Sequence, residues 1–225
     1  MGDVTVLAER RANRLLRESF PRGRGAAGSG APPVMFCFDP GCPFSYLAAE
    51  RIERRFHAVE WVPVAAADVW RDEPWSDPDT GRALRDNVER RAAELRLPLV
   101  WPDRFPSTGT AALRVAVHAV RAGVGPAFAL AAFRLAFCGG FDLEDPVILA
   151  EAAAAAGIGL DACLLAARDA ANDQPLEAAA SGLLAHGVTQ LPAYHVGTRW
   201  FAGEASLAEA SAWARGPATA TNPGA

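Results

Sequence analysis

Val34-Met35-Phe36-Cys37-Phe38-Asp39-Pro40-Gly41-Cys42-Pro43 is the stretch on which the fold reading turns. Five apolar residues in a row, bounded by Pro33 and Asp39, suit a strand buried on both faces; a half-exposed strand would alternate. Asp39-Pro40-Gly41 then turns the chain, and a helical pattern runs from Phe44 to Phe56. Pro43 fits the first turn of that helix, where its missing N–H costs nothing. Cys42 therefore stands at the helix N-cap or beside it. There the unpaired N–H groups of Phe44, Ser45 and Tyr46 face the sulfur and the helix end carries partial positive charge, both favouring a thiolate. An inert small hydrophobe is the commoner role of a cysteine, but the Pro-bounded strand-to-helix turn favours chemistry. A free thiol has a pKa of roughly 8.5, which a helix N-terminus lowers. The expectation is an exposed Cys42 that titrates below an ordinary thiol and reacts faster than Cys37, Cys138 and Cys163.

Outward from this turn, Val59–Val64 gives a second strand one helix later, so the first third reads β-α-β with a parallel crossover. A mainly helical block follows over residues 65–186, with helices expected at Asp79–Leu95, Thr110–Ala122, Pro126–Phe137, Pro146–Ala156, Leu160–Ala170 and Pro175–Ala185, separated by Gly, Pro, Asn and Asp. The β pattern returns as Ala193–Val196, a Gly197-Thr198 turn and Arg199–Ala202, a hairpin, and a last helix spans Ser206–Ala214. The order β-α-β, helical block, β-β-α defines an α/β thioredoxin-like fold with a large helical insertion. Residues 34–64 and 187–214 form the thioredoxin-like domain and 65–186 the inserted helical domain. Residues 1–33, a charged helix-compatible stretch Val4–Phe20 and a Gly/Pro-rich linker, read as a flexible extension; 215–225 read as a disordered tail.

The chain of 225 residues has net charge −4, and its 22 basic residues are all Arg. No basic stripe with interleaved aromatics supports nucleic-acid binding, and no apolar run reaches the ~20 residues of a membrane helix. Charged residues break up the first twenty positions, so no export signal is read and a cytoplasmic setting is expected. In a reducing compartment four cysteines without a CxxC are read as catalytic or buried thiols, not as disulfides or a zinc site. No metal is expected. Of the histidines, His57 and His186 fall at helix ends and are expected to be solvated, while His118 and His195 could approach the cleft. Tyr46 is read as core, and Trp61, Trp70, Trp75 and Trp101 divide between core and an aromatic pocket wall.

The segment Phe38-Asp39-Pro40-Gly41-Cys42-Pro43-Phe44-Ser45-Tyr46-Leu47-Ala48 resembles the active-site segment of the 2-hydroxychromene-2-carboxylate isomerases and kappa-class glutathione transferases, relatives of DsbA. Collinear likenesses follow: Leu97–Pro102, Phe105-Pro106-Ser107-Thr108 leading into a helix with Ala111 and Arg114, Phe137–Leu149 with Asp145-Pro146, Gly187–Pro192, and Trp200–Gly203. The resemblance implies a cis peptide before Pro192, placing the Leu191 backbone beside the active site, where it pairs with a thiol peptide. It also implies a thiol-dependent isomerase of a conjugated small molecule: a thiolate adds, the former double bond rotates, and elimination restores it. Ser107, Thr108 or backbone N–H groups near Leu191 would steady the enolate.

Two departures bear on the chemistry. The isomerases usually carry Ser at the position of Cys42, supporting a bound glutathione thiolate, and DsbA-type oxidants carry Cys at both motif positions. This chain has Cys42 and Ser45, so no resolving thiol for an intramolecular disulfide stands in the motif. After Gly203, where the family holds the γ-glutamyl end of glutathione, stand Glu204, Ala205 and Ser206. The thiol is thus either Cys42 itself or that of a bound glutathione, mycothiol or other small thiol supported by Cys42; a cofactor-free enzyme is also open. Cys42 is the expected catalytic residue, and Ser45, Ser107, Thr108, Leu191, Pro192, Glu204 and Ser206 the expected cofactor-binding ones. The alternatives are a monothiol thiol–disulfide oxidoreductase and a non-catalytic thioredoxin-like binding module. The expected partner is a small-molecule substrate, with neither nucleic acid nor membrane, and a homodimer is admitted as an assembly.

Overall fold

The computed structural model describes residues 34–70, 74–107 and 109–215. The expectations for residues 1–33 and the terminal tail therefore lie outside the described residues, as does Thr108. Strand β1 (Val34–Phe38) leads into helix α1 (Pro43–Ile52), and β2 (Val59–Pro63) follows. Seven helices come next: α2 (Ala66–Val69), α3 (Pro78–Leu95), α4 (Thr110–Arg121), α5 (Gly125–Phe137), α6 (Pro146–Ala155), α7 (Leu160–Arg168) and α8 (Asp173–Ala185). The chain ends in the hairpin β3 (Ala193–Val196) and β4 (Arg199–Ala202) and helix α9 (Leu207–Arg215).

The sheet order is β2-β1-β3-β4, with β1 parallel to β2 and antiparallel to β3. As the uninterrupted apolar run predicts, every residue of β1 is buried. Its side chains alternate between two cores. Val34, Phe36 and Phe38 join Trp61, Tyr194 and Phe201 in a cluster with α1 and the insertion, whereas Met35 and Cys37 join Val62, Ala193 and Leu183 of α8 in the second. Phe133 of α5 lies 5.9 Å from the Phe38 ring and 6.4 Å from that of Tyr46, so the insertion packs directly on the strand and helix that carry the thiol. Buried alanines on α4, α5 and α6, such as Ala116, Ala132 and Ala152, keep the bundle free of bulk at its contacts.

The helix starts follow local chemistry. Asp77 accepts the Thr80 N–H and Asp145 the Val147 N–H, each before a proline in the first turn, an N-cap worth about 1 kcal/mol. Helix α1 ends at Ile52, short of the predicted Phe56, because residues 53–55 turn and the Arg55 N–H closes on Ile52 at 2.9 Å. Phe56 tucks into the core at 7% exposure, so its apolar character reports burial and not helical phase. The single turn α2 was not expected from the sequence, being too short to show a period. The segment expected as Leu160–Ala170 breaks at Asp169, whose carboxylate accepts the Ala171 N–H and starts a 3₁₀ turn, Ala170–Asn172.

Candidate functional site: the turn at Cys42 and the adjoining pocket

The β1–α1 turn is closed by the Cys42 N–H on the Asp39 carbonyl at 3.0 Å, and the Cys42 carbonyl accepts the Tyr46 N–H at 3.1 Å, the first bond of α1. Cys42 is the N-cap, as its position before Pro43 predicts. Its environment is not the predicted one. The residue is only 2% exposed, in the apolar cluster of Cys37, Leu113 and Leu191, with Phe44 and Trp70 against it. Burial pushes the thiol up to about 11; the Ser45 hydroxyl and the Ser45 and Phe44 N–H groups oppose this, and the Asp39 charge adds to it. The helix terminus acts in the expected direction, but loss of water around the sulfur outweighs it. The expectation of an exposed, acidified thiol is therefore corrected. Cys37 lies fully buried inside β1, its thiol raised by burial.

Asp39, which follows β1, is marked in the sequence as the strand's boundary and the first residue of the turn. It is 7% exposed, and its two carboxylate oxygens accept the Gly41 N–H and the Ala66 N–H, each at 2.7 Å. Burial raises it to about 6 despite these two bonds, with Asp68 contributing in the same direction.

Beside this turn lies a pocket of about 740 Å³, within the range of small-molecule sites. Phe44, Trp70, Trp75, Leu84 and Leu191 supply an apolar wall. Asn87, Arg90, Glu94, Gln190 and Glu204 supply the polar side. The peptide before Pro192 is cis, as expected, and Thr189, Gln190 and Leu191 of that loop line the pocket. The Gly203 N–H holds the Pro192 carbonyl at 2.8 Å. Gly203 has φ +83°, and a Cβ there would come within 3.3 Å of Gln190 Oε1, so glycine keeps this corner of the pocket open.

The remaining expected residues are placed as follows. Ser45 is buried, its hydroxyl accepting the Asp39 N–H at 3.4 Å. Glu204 is 5% exposed; Arg51 of α1 and Arg91 of α3 both hold its carboxylate, Arg91 Nε at 2.7 Å. Ser206 donates its hydroxyl to the Gly203 carbonyl at 2.8 Å. Ser107 stands apart from the large pocket, in a smaller crevice with Gly41 and Phe105. Neither His118 nor His195 lines the pocket; His195 is buried and packs, with its ring tilted, on Trp200 at 4.7 Å. His186, expected to be solvated, is half-buried and packs at 5.6 Å from the same ring. Trp61 is core and Tyr46 donates its hydroxyl to the Pro98 carbonyl at 2.6 Å. Trp101 packs on Trp75 behind the wall. Arg51 and Arg91 had no sequence signal, because their partner lies 153 and 113 positions away. Among the described residues no group of three His, Cys, Asp or Glu side chains is arranged to hold a metal ion.

The model of the DSBA-like thioredoxin domain matches residues 33–211, and the chain belongs to that family. Among solved structures it is similar to a 2-hydroxychromene-2-carboxylate isomerase, at 18% identity and a TM-score of 0.68, over 82% of this chain and 95% of the other. It is equally similar to a probable DsbA oxidoreductase from Streptomyces coelicolor, at 21% identity and a TM-score of 0.68, over 83% and 91% of the two chains. Identities this low speak for the fold. Among curated proteins no sequence match is found.

Proposed function

We propose that the protein is a thiol-dependent isomerase of a conjugated small molecule, in which Cys42 supports a bound low-molecular-weight thiol and does not itself attack. The observation that carries this reading is the burial of Cys42, 2% exposed, in the apolar cluster that includes Leu191 and has Phe44 packed against it, both of them residues of the pocket wall. A thiol raised to about 11 is almost entirely protonated at neutral pH, which suits a neutral S–H donor better than a nucleophile. The pocket fits a small peptide-like thiol: Leu191 backbone beside the cis proline, with Asn87, Arg90 and Gln190 across from the aromatic wall.

When bound, such a thiol, glutathione or mycothiol, supplies a sulfur that adds reversibly to a conjugated carbon and leaves once the bond has rotated. The chain's own residues do the rest. Neither Cys42 nor Ser45 lines the pocket; where a sulfur reaches the turn beside it, their S–H and hydroxyl are its hydrogen-bonding groups. Phe44, Trp70 and Trp75 provide flat apolar surface for a conjugated body and keep water from it. The polar side orients amide and carboxylate groups.

The test is turnover of 2-hydroxychromene-2-carboxylate by desalted protein, with and without glutathione or mycothiol. Wild type is expected to require added thiol, Cys42→Ser to keep much of the thiol-dependent rate, and Cys42→Ala to lose most of it. Turnover without thiol that disappears in Cys42→Ser would instead make Cys42 the nucleophile. Steady-state disulfide reduction without isomerisation would move the protein to the oxidoreductase reading, and unchanged behaviour of Cys42→Ala to the binding-module one.

A further inference from the structure

Asp39 follows β1 at the turn that presents Cys42, and its carboxylate joins that turn to α2. Its Oδ1 accepts the Gly41 N–H, the residue before Cys42, and its Oδ2 accepts the Ala66 N–H, the first of α2. Helix α2 is a single turn, closed by the Trp70 N–H on the Ala66 carbonyl at 3.0 Å. Whatever fixes Ala66 therefore fixes Trp70, and Trp70 is pocket wall. A third element closes over the same carboxylate: at Gly109, the N-cap of α4, an added Cβ would stand 3.9 Å from Asp39 Oδ1.

We infer that Asp39 is a positioning residue for chemistry at Cys42: its carboxylate ties the turn that ends on the thiol to the helix turn that carries Trp70, holding sulfur and ligand wall in one fixed relation. The inference rests on the reading of Cys42 and the pocket as one site. Both N–H groups bond best to the charged carboxylate, since a protonated acid gives up acceptor strength on one oxygen. The charge of Asp68 on α2 raises Asp39, and the charge of Asp39 in turn raises the Cys42 thiol at the head of α1; Gly109 at the entry of α4 carries no charge. Protonation of Asp39, centred near 6, weakens both arms of the tie and removes the charge that opposes the thiolate. Both effects make Cys42 more reactive as the pH falls.

The experiment measures modification of Cys42 by methyl methanethiosulfonate, resolved by peptide mass, with free glutathione as reference at each pH between about 4 and 8. The reagent forms the methyl disulfide on the thiolate and releases methanesulfinate, so the ratio to glutathione cancels its own pH dependence. In wild type the ratio should rise several-fold as Asp39 is protonated, because loss of its charge favours the Cys42 thiolate. In Asp39→Asn the ratio should be high and flat. Ala66→Pro tests one arm with the charge left in place, and proline suits this first helical position because Ala65 is already extended at φ −69° and ψ 121°. It should raise Cys42 reactivity several-fold near neutrality and keep the acid rise. A wild-type ratio that is flat across the range, or Ala66→Pro behaving as wild type, would overturn the inference, including the case where Asp39→Asn does not fold. The readout needs no turnover, so an active Cys42→Ala enzyme would sink the proposed function and leave this result standing.

Discussion

At the position of Cys42 two opposing effects meet, and their sizes decide the chemistry. The helix N-terminus and the Ser45 hydroxyl stabilise a thiolate, whereas burial at 2% exposure in the apolar cluster of Leu113 and Leu191 removes the water that would solvate it. Burial wins, so the account expects iodoacetamide to modify Cys42 with an apparent pKa near 11. At mildly alkaline pH it should react more slowly than Cys138, which is partly exposed. Rates resolved by residue against pH check this, and an apparent value at or below the roughly 8.5 of a free thiol would contradict it. The sequence revealed that Cys42 caps a helix, because Pro43 and the apolar run before it are local signals. It could not reveal that the cap is buried, because the apolar cluster it joins draws on distant positions such as 113, 183 and 191. Asp39 was legible as a turn residue, but its partner at Ala66 was not, for the same reason.

Among the elements, α1, α3 and the 3₁₀ turn Glu204–Ser206 are joined by one carboxylate. Glu204 has a side chain only 4% exposed, and that of its partner Arg51 is 15% exposed. Burial pushes the Arg51 guanidinium down and Glu204 pulls it back up, whereas Arg91 is raised by its bonds to Glu204 and Glu94. Glu204→Ala leaves Arg51 buried without its anion, a loss of roughly 3–5 kcal/mol for a buried pair broken on one side. Arg91→Ala should cost much less, since Glu204 keeps Arg51. Denaturant unfolding of the two variants gives the order, and equal losses would show that Arg51 is not the group Glu204 neutralises. The sequence placed Glu204 and Ser206 beside the site from the segment after Gly203, and the structure finds Glu204 on the pocket wall. That its carboxylate is already engaged by two arginines is a long-range fact no local pattern carries.

For the whole molecule, the topology was legible because each strand and long helix announces itself by period and punctuation: the run before Asp39, the hairpin around Gly197-Thr198, the Asp145-Pro146 start. The family match over residues 33–211 agrees with it. What the sequence left open was whether Cys42 or a bound thiol is the nucleophile of the proposed reaction, and the burial of Cys42 in the cluster it shares with Leu113 and Leu191 bears on that choice. The most direct measurement is the intact mass of desalted protein incubated with 2-hydroxychromene-2-carboxylate, with product formation followed in the same samples. Without added thiol, unchanged protein mass and no product are expected; with glutathione, product and still no adduct on Cys42. Protein heavier by one substrate, mapped to Cys42 and accompanied by product in the absence of thiol, would contradict the bound-thiol reading.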